Sequence, residues 1–268
     1  MTRVISIANQ KGGVGKTTTA VNLGVYLAGR GKRVLLIDLD PQANATSALA
    51  FEAKKLSPNI YHSLVGNVLP EGLVRETGIF GYHILPSSSD LAGATVELVN
   101  ETQREFRLQQ AVNRMRDAYD FILIDCPPSL GLLTVNGIVA ADEVLIPVQC
   151  EYYAMEGLSQ LLETIDLIRD NLNKDTKVTG AVLTMFDRRS RLARKVEKEV
   201  RQNFPGYVFE AVIPRNVSLA EAPGVGKTIF QFDPESYGAR AYSRLADEVI
   251  TRDPGGANFI KRVFGFIS

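Results

Sequence analysis

The sequence predicts an α/β fold: a mainly parallel, twisted sheet flanked by helices on both faces. Three observations predict it. Apolar, β-branched runs alternate with helical patterns from one end of the chain to the other. Those runs are continuously apolar, the pattern of strands buried on both faces rather than one. The first of them, Val4-Ile5-Ser6-Ile7-Ala8, passes through a glycine-rich turn straight into a helical pattern.

Strands are expected at Val4–Ala8, Val34–Leu39, His83–Pro86, Phe121–Cys126, Glu143–Val148, Lys177–Met185 and Val208–Pro214, each a short apolar run. Helical periodicity predicts Lys16–Ala28, Glu105–Ala118, Leu132–Ala140, Glu156–Leu172, Leu192–Phe204 and Tyr237–Thr251. No linker, repeat or low-complexity stretch splits them. The reading is one domain over 1–252, then a Pro/Gly linker at Asp253-Pro254-Gly255-Gly256 and an amphipathic tail, 253–268. In an open α/β sheet the ligand lies at the carboxyl ends of the strands.

Bulk properties narrow the class. A chain of 268 residues with 45% hydrophobic side chains can bury a full core. No apolar run approaches the ~20 residues that span a bilayer, and Met1-Thr2-Arg3 leads directly into a strand, unlike a signal peptide. Two cysteines, Cys126 and Cys150, make no disulfide framework, so a cytoplasmic, reducing setting is expected. Thirty basic and thirty acidic residues cancel, so an anion-binding surface must come from local clustering.

The chemistry is concentrated in Asn9-Gln10-Lys11-Gly12-Gly13-Val14-Gly15-Lys16-Thr17-Thr18. A buried strand, a glycine-rich turn and a helix N-terminus together form a phosphate cradle, because backbone N–H groups and the helix dipole converge there. Lys16 is placed to reach the β- and γ-phosphates, and Thr17 to ligate Mg²⁺. The motif departs from the usual phosphate-binding loop: Gln10 replaces its first glycine, and an extra lysine, Lys11, opens the turn. Carboxylates follow at strand ends, Asp38 and Asp40 in Asp38-Leu39-Asp40-Pro41-Gln42, and Asp125 after Phe121-Ile122-Leu123-Ile124. Beside a phosphate loop such carboxylates hold Mg²⁺, usually through water; elsewhere they would merely cap turns before Pro41 and Pro127. Gly224-Val225-Gly226-Lys227-Thr228 repeats the letters but follows Ala222-Pro223 rather than a strand, and Ile229–Pro234 after it does not read as a helix. It is expected to be a surface loop.

The extra lysine makes the loop resemble the deviant phosphate loop of the ParA/MinD ATPases, and the likeness extends to about Thr251. Asp125-Cys126-Pro127-Pro128, Gln149-Cys150-Glu151-Tyr152-Tyr153 and Ile213-Pro214-Arg215-Asn216-Val217 are similar to the chromosomal ParA (Soj) branch. The resemblance implies a Mg²⁺-dependent ATPase, slow until stimulated by a ParB-like partner. It implies a homodimer bridged by ATP, with Lys11 crossing to the partner's nucleotide. Asp40 then positions the attacking water, Asp38, Asp125 and Thr17 surround the metal, and Gly12, Gly13, Val14, Gly15, Lys16 and Thr18 hold phosphate. Pro214 and Asn216 lie beside the adenine, unless Asn216 is simply a turn residue.

Two surfaces remain. Arg188, Arg189, Arg191, Arg194, Lys195, Lys198 and Arg201 crowd the start and body of one helix, with Leu192, Val196 and Val200 as its apolar stripe. That concentration suits binding of the DNA phosphate backbone without sequence readout, while a solvated face with internal ion pairs is the plainer alternative. The resemblance implies non-specific double-stranded DNA and a nucleoid-associated location. It also marks a departure: Ser218 stands where relatives usually carry arginine. In the tail, Phe259, Ile260, Val263, Phe264 and Ile267 share a helical face edged by Lys261 and Arg262. This matches an interfacial membrane helix, similar to that of MinD, or a segment docking on protein. The expected function is a ParA/Soj-like partition ATPase; the alternative is a MinD-like ATPase that positions cargo at a membrane surface. A metal-cluster carrier or nitrogenase-type reductase would need paired interface cysteines, for which Cys126 and Cys150 are poorly placed.

Overall fold

The computed structural model describes residues 1–66, 68–172 and 174–252; the amphipathic tail lies outside the described residues. The strands are β1 (Arg3–Ile7), β2 (Val34–Asp38), β3 (Arg75–Ile79), β4 (Tyr82–Leu85), β5 (Phe121–Asp125), β6 (Glu143–Gln149) and β7 (Lys177–Thr184). The α-helices are α1 (Lys16–Ala28), α2 (Asn44–Ala48), α3 (Ile60–Leu64), α4 (Leu91–Glu97), α5 (Arg107–Met115) and α6 (Leu132–Ala140). They continue with α7 (Ala154–Leu172), α8 (Arg191–Asn203), α9 (Val217–Glu221), α10 (Ile229–Phe232) and α11 (Tyr237–Thr251).

Among the described residues one sheet forms in the order β3-β4-β2-β5-β1-β6-β7, parallel throughout except for the β3–β4 hairpin. Successive side chains on a strand point to opposite faces, and the core divides accordingly. Leu35, Ile37, Ile122, Ile124, Val144 and Ile146 pack under α5, α6, α7 and α8. Leu36, Leu123 and Leu145 face the other way, under α1 and α11. Arg3 locks the far end: its guanidinium grips buried Glu143 at 2.7 and 2.8 Å and also bonds the Val249 carbonyl, holding α11 against β1.

Three expectations are corrected. β3 was not expected, since Arg-Glu-Thr-Gly-Ile at a sheet edge has no buried apolar run to betray it. The segment expected as a strand at Val208–Pro214 makes only isolated bridges to β7 and its extension, at Ala181↔Val208 and Phe186↔Pro214. The apolar stripe of α8 is Ala193, Val196 and Val200, with Leu192 exposed. A row at spacing four drifts about 40° per step around a helix, so Leu192 falls off the buried side.

Candidate functional site

The loop after β1 has the conformation its glycines permit. Gly13 (φ 73°) and Gly15 (φ 89°) adopt left-handed backbone that L side chains rarely accept. Gly15 is the N-cap of α1 and brings no side-chain cap, so the helix's first N–H groups face the cradle. The loop is held from outside: Thr184 Oγ1 donates to the Val14 carbonyl at 2.8 Å, and Asn9 Oδ1 accepts the Lys11 N–H at 3.0 Å. Asn9 is itself anchored, donating to the Pro147 carbonyl at 2.7 Å.

The two lysines part company. Lys16 is buried, and its ammonium donates to the Lys11 carbonyl at 3.0 Å. Burial lowers its pKa, an effect opposed by Asp125, Cys126 and Asp40 nearby. Lys11 is more open, and its ammonium pairs with Glu151 of the same chain at 3.1 Å. Glu151 also accepts from Gln149 Nε2 at 2.6 Å and lies 4.0 Å from Arg215. Lys11 and Glu151 are thus one unit on the rim of the cradle.

Asp38 and Asp125 are register partners at the ends of β2 and β5, both fully buried. Asp38 Oδ1 accepts the Asp40 N–H at 3.1 Å, and its Oδ2 accepts the Thr46 N–H at 2.8 Å and the Thr46 hydroxyl at 2.7 Å. Asp125 is different: among the described residues neither of its oxygens makes a hydrogen bond of good geometry, and the Thr17 hydroxyl is the nearby donor that favours its charge. Around it stand Asp38, Thr17, Asp40 and Lys16. Burial pushes both carboxyls up, Asp38 to about 6 despite its hydrogen bonds, and Asp125 well above the usual range with the Asp38 charge adding to the effect. A buried acceptor with no donor needs a partner. A hydrated divalent cation beside phosphate oxygens meets that need, and Mg²⁺ takes most of its ligands from phosphate and water. The donor set around Thr17 and Asp125 fits it. Asp40 is mostly buried, with Oδ1 accepting the Gln42 N–H at 2.9 Å.

At the expected base site, Asn216 is the N-cap of α9 and its Oδ1 accepts the Leu219 N–H at 3.1 Å, which leaves the amide nitrogen as the donor it can offer. A cavity of about 400 Å³ opens along the first turns of α1, between Thr17 and Thr18 and a wall of Asn44, Pro223 and Lys227. Pro214 and Asn216 do not line it. Lys227 thus stands near the phosphate loop although the motif around it is no second cradle. It follows a 3₁₀ turn, and Thr228 caps α10 through a capping box with Gln231, a helical turn that the residue pattern did not announce.

The basic cluster lies on α8 and the loop before it. Ser190 caps that helix by accepting the Ala193 N–H at 3.2 Å. Arg188, Arg189, Arg191, Arg194, Lys195 and Lys198 are exposed. Arg201 turns inward instead, pairing with Glu197 at 3.3 Å and Glu210 at 3.6 Å and donating to the Phe209 carbonyl. Ser218 donates to Asp233 at 2.7 Å, tying α9 to the turn before α11. The residues that sequence reasoning missed are Thr46 and Ser87, polar side chains without motif spacing, and Glu151, whose pairing with Lys11 spans 140 positions of the chain.

Known proteins agree with this geometry. A family model described as an AAA domain matches residues 2–178. The chromosome partitioning protein ParA of Myxococcus xanthus is 51% identical over 94% of this chain and 89% of its own. The sporulation initiation inhibitor protein Soj of Bacillus subtilis is 51% identical over 93% of this chain and 98% of its own. Among solved structures, a cobyrinic acid a,c-diamide synthase from Mycobacterium smegmatis with bound ADP and magnesium superposes with TM-score 0.82 at 39% identity, covering 93% of this chain and 94% of that one. The cell division ATPase MinD of Pyrococcus furiosus gives 0.76 at 28% identity, over 93% and 99%. A phosphate cradle with an extra lysine at its rim, on a parallel sheet shared with these relatives, places the chain in the ParA/Soj family of chromosome-partitioning ATPases.

Proposed function

We propose that the chain is an ATP-operated partition switch: ATP with Mg²⁺ joins two copies face to face, and the dimer binds duplex DNA without sequence preference. A ParB-like partner then stimulates hydrolysis and release. The observation that carries the reading is the pairing of a cradle with a second, partly exposed lysine on its rim. Lys16 serves its own pocket, whereas Lys11 stands outside it on a half-exposed ion pair that can be exchanged. In the partner's pocket Lys11 would stabilise negative charge on the phosphates, as an arginine finger does. Bound Mg²⁺ supplies charge neutralisation for phosphoryl transfer. Thr17 and Asp125 are the residues to hold it, while Asp38, already accepting three hydrogen bonds, supports them from behind. Asp40 keeps Oδ2 for the attacking water. One carboxylate supplies only part of the stabilisation, so unstimulated turnover is slow.

The exposed arginines and lysines of α8 and its leading loop would contact DNA phosphates, with Arg201 serving the fold rather than the nucleic acid. The location expected for such a switch is the nucleoid. Duplex binding measured with ATP, with ADP, and for the Arg194→Ala/Lys198→Ala double variant tests this. The expected result is tight binding with ATP alone, weakened about tenfold or more by the double change and with a shallower salt slope. Binding indifferent to nucleotide would overturn it. A membrane-directed version of the same cycle rests on the pattern Phe259, Ile260, Val263, Phe264 and Ile267. Nucleotide-dependent sedimentation with liposomes that Phe264→Glu abolishes would favour it.

A further inference from the structure

The loop bearing Asp40 is gripped by a closed set of buried hydrogen bonds, and one hydroxyl sits at its hub. Helix α2 begins after Ala43, a left-handed non-glycine residue (φ 53°) with no side chain to cap the helix. Asp38 takes the capping role from the end of β2, accepting the Thr46 N–H. The Thr46 hydroxyl then does two things: it donates to Asp38 Oδ2 at 2.7 Å and accepts the Ser87 N–H at 3.0 Å. Ser87, just past β4, donates through its own hydroxyl to the Asp40 carbonyl at 2.9 Å. Asp38 Oδ1 holds the Asp40 N–H at 3.1 Å. Both backbone polar groups of Asp40 are therefore pinned, the N–H by Asp38 and the carbonyl by the Ser87 hydroxyl together with the Ala43 N–H at 2.9 Å, and Thr46 joins Asp38 to Ser87. Asp38, Thr46 and Ser87 are all fully buried, so water cannot replace a lost partner cheaply.

We propose that Thr46 and Ser87 are positioning residues for hydrolysis, which set Asp40 at the distance and angle its water requires. The inference rests on the reading of Asp40 given above. A hydroxyl that must donate and accept at once has one conservative substitute, serine; valine keeps the shape and loses both bonds. A displacement of the loop by a fraction of an ångström lowers turnover without touching the phosphate cradle, since Lys16, Thr17 and Asp125 lie on other elements.

The test is steady-state ATP hydrolysis by the full chain, with ATP affinity and thermal melting measured alongside, for Thr46→Val, Thr46→Ser, Ser87→Ala and Asp40→Ala. Thr46→Val is expected to lower kcat about tenfold with KM within about twofold. Thr46→Ser should recover most of the rate. Ser87→Ala, which removes only the bond to the Asp40 carbonyl, should lose about three- to fivefold and decides the matter if Thr46→Val fails to fold. Wild-type kcat in Thr46→Val or Ser87→Ala beside an impaired Asp40→Ala overturns the positioning role, as does a loss that serine does not rescue or one confined to KM. An unimpaired Asp40→Ala overturns the reading of Asp40 and this inference with it.

Discussion

The ends of β2 and β5 carry the same residue at the same height in the sheet, and the two aspartates have opposite fates. Asp38 and Asp125 are adjacent in register, and both are completely buried. Asp38 has three well-formed hydrogen bonds on its two oxygens, whereas Asp125 makes none of good geometry among the described residues and has the Thr17 hydroxyl nearby. Burial makes each charge costly; at Asp38 three hydrogen bonds offset it, and at Asp125 only the nearby Thr17 hydroxyl and the Lys16 charge do. The difference teaches that a carboxylate kept buried without a partner is maintained for something that comes and goes. On the function proposed above, one aspartate builds the site and the other serves it.

The sharpest way to break that distinction is Asp125→Ala. The substitution removes an acceptor that is short of donors and costly to charge, so the fold should survive. Hydrolysis should fall on the order of 100-fold, and the rise in melting temperature caused by Mg²⁺ with ATP should shrink. A variant with wild-type turnover would put the metal elsewhere and leave the bare carboxylate unexplained.

Isosteric amides give a smaller effect but a cleaner contrast, because the two changes should differ in sign. Asp38→Asn turns an NH₂ group toward donors that it cannot accept from, and should destabilise by about 1–3 kcal/mol. Asp125→Asn removes a buried charge that burial and Asp38 both oppose, and should stabilise by a similar amount near pH 8. The pH dependence follows from the raised carboxyls. A group whose pKa rises on folding favours the folded state at low pH, and that stability is lost as pH climbs through the folded value. For Asp125 the loss sets in above the ordinary carboxylate range and continues as far as its strongly raised pKa. The advantage of Asp125→Asn over wild type should therefore widen from pH 5 to pH 8, measured by denaturant melts without nucleotide or metal. Equal signs for the two amides, or an advantage that narrows with pH, would erase the contrast.

Much of this was legible in the residues, and the boundary has a physical cause. The cradle was readable because its demands are local: Gly13 and Gly15 supply the backbone angles, Lys16 and Thr17 the chemistry, and Val4–Ala8 the strand that aims them. Strand ends were readable because buried runs stop at charges, as at Asp38 and Asp125. What divided the two aspartates was not readable, since two of the three donors to Asp38 come from Thr46 in α2, whose hydroxyl is itself held by Ser87 just past β4. Arg201 looked like its basic neighbours until Glu210, from the segment beyond the helix, turned it inward. β3 was hidden for the opposite reason: a polar edge strand is defined by the partner it pairs with, and its own residues carry little sign of it.

The mildest prediction extends the comparison from buried charges to an exposed one. Lys11 and Glu151 form the rim's ion pair with side chains 35% and 46% exposed. Water can solvate either partner once they separate, so the pair holds Lys11 weakly and is easily exchanged. Glu151→Gln should leave the fold and ATP affinity unchanged while raising the rate at which an amine-acylating reagent modifies Lys11 by about two- to fivefold, read by mass spectrometry. Raising salt should narrow the gap, because screening weakens the wild-type pair and leaves the neutral variant alone. An unchanged acylation rate would show that Glu151 does not restrain Lys11, and the rim charge would then be held by the loop backbone through Asn9 alone.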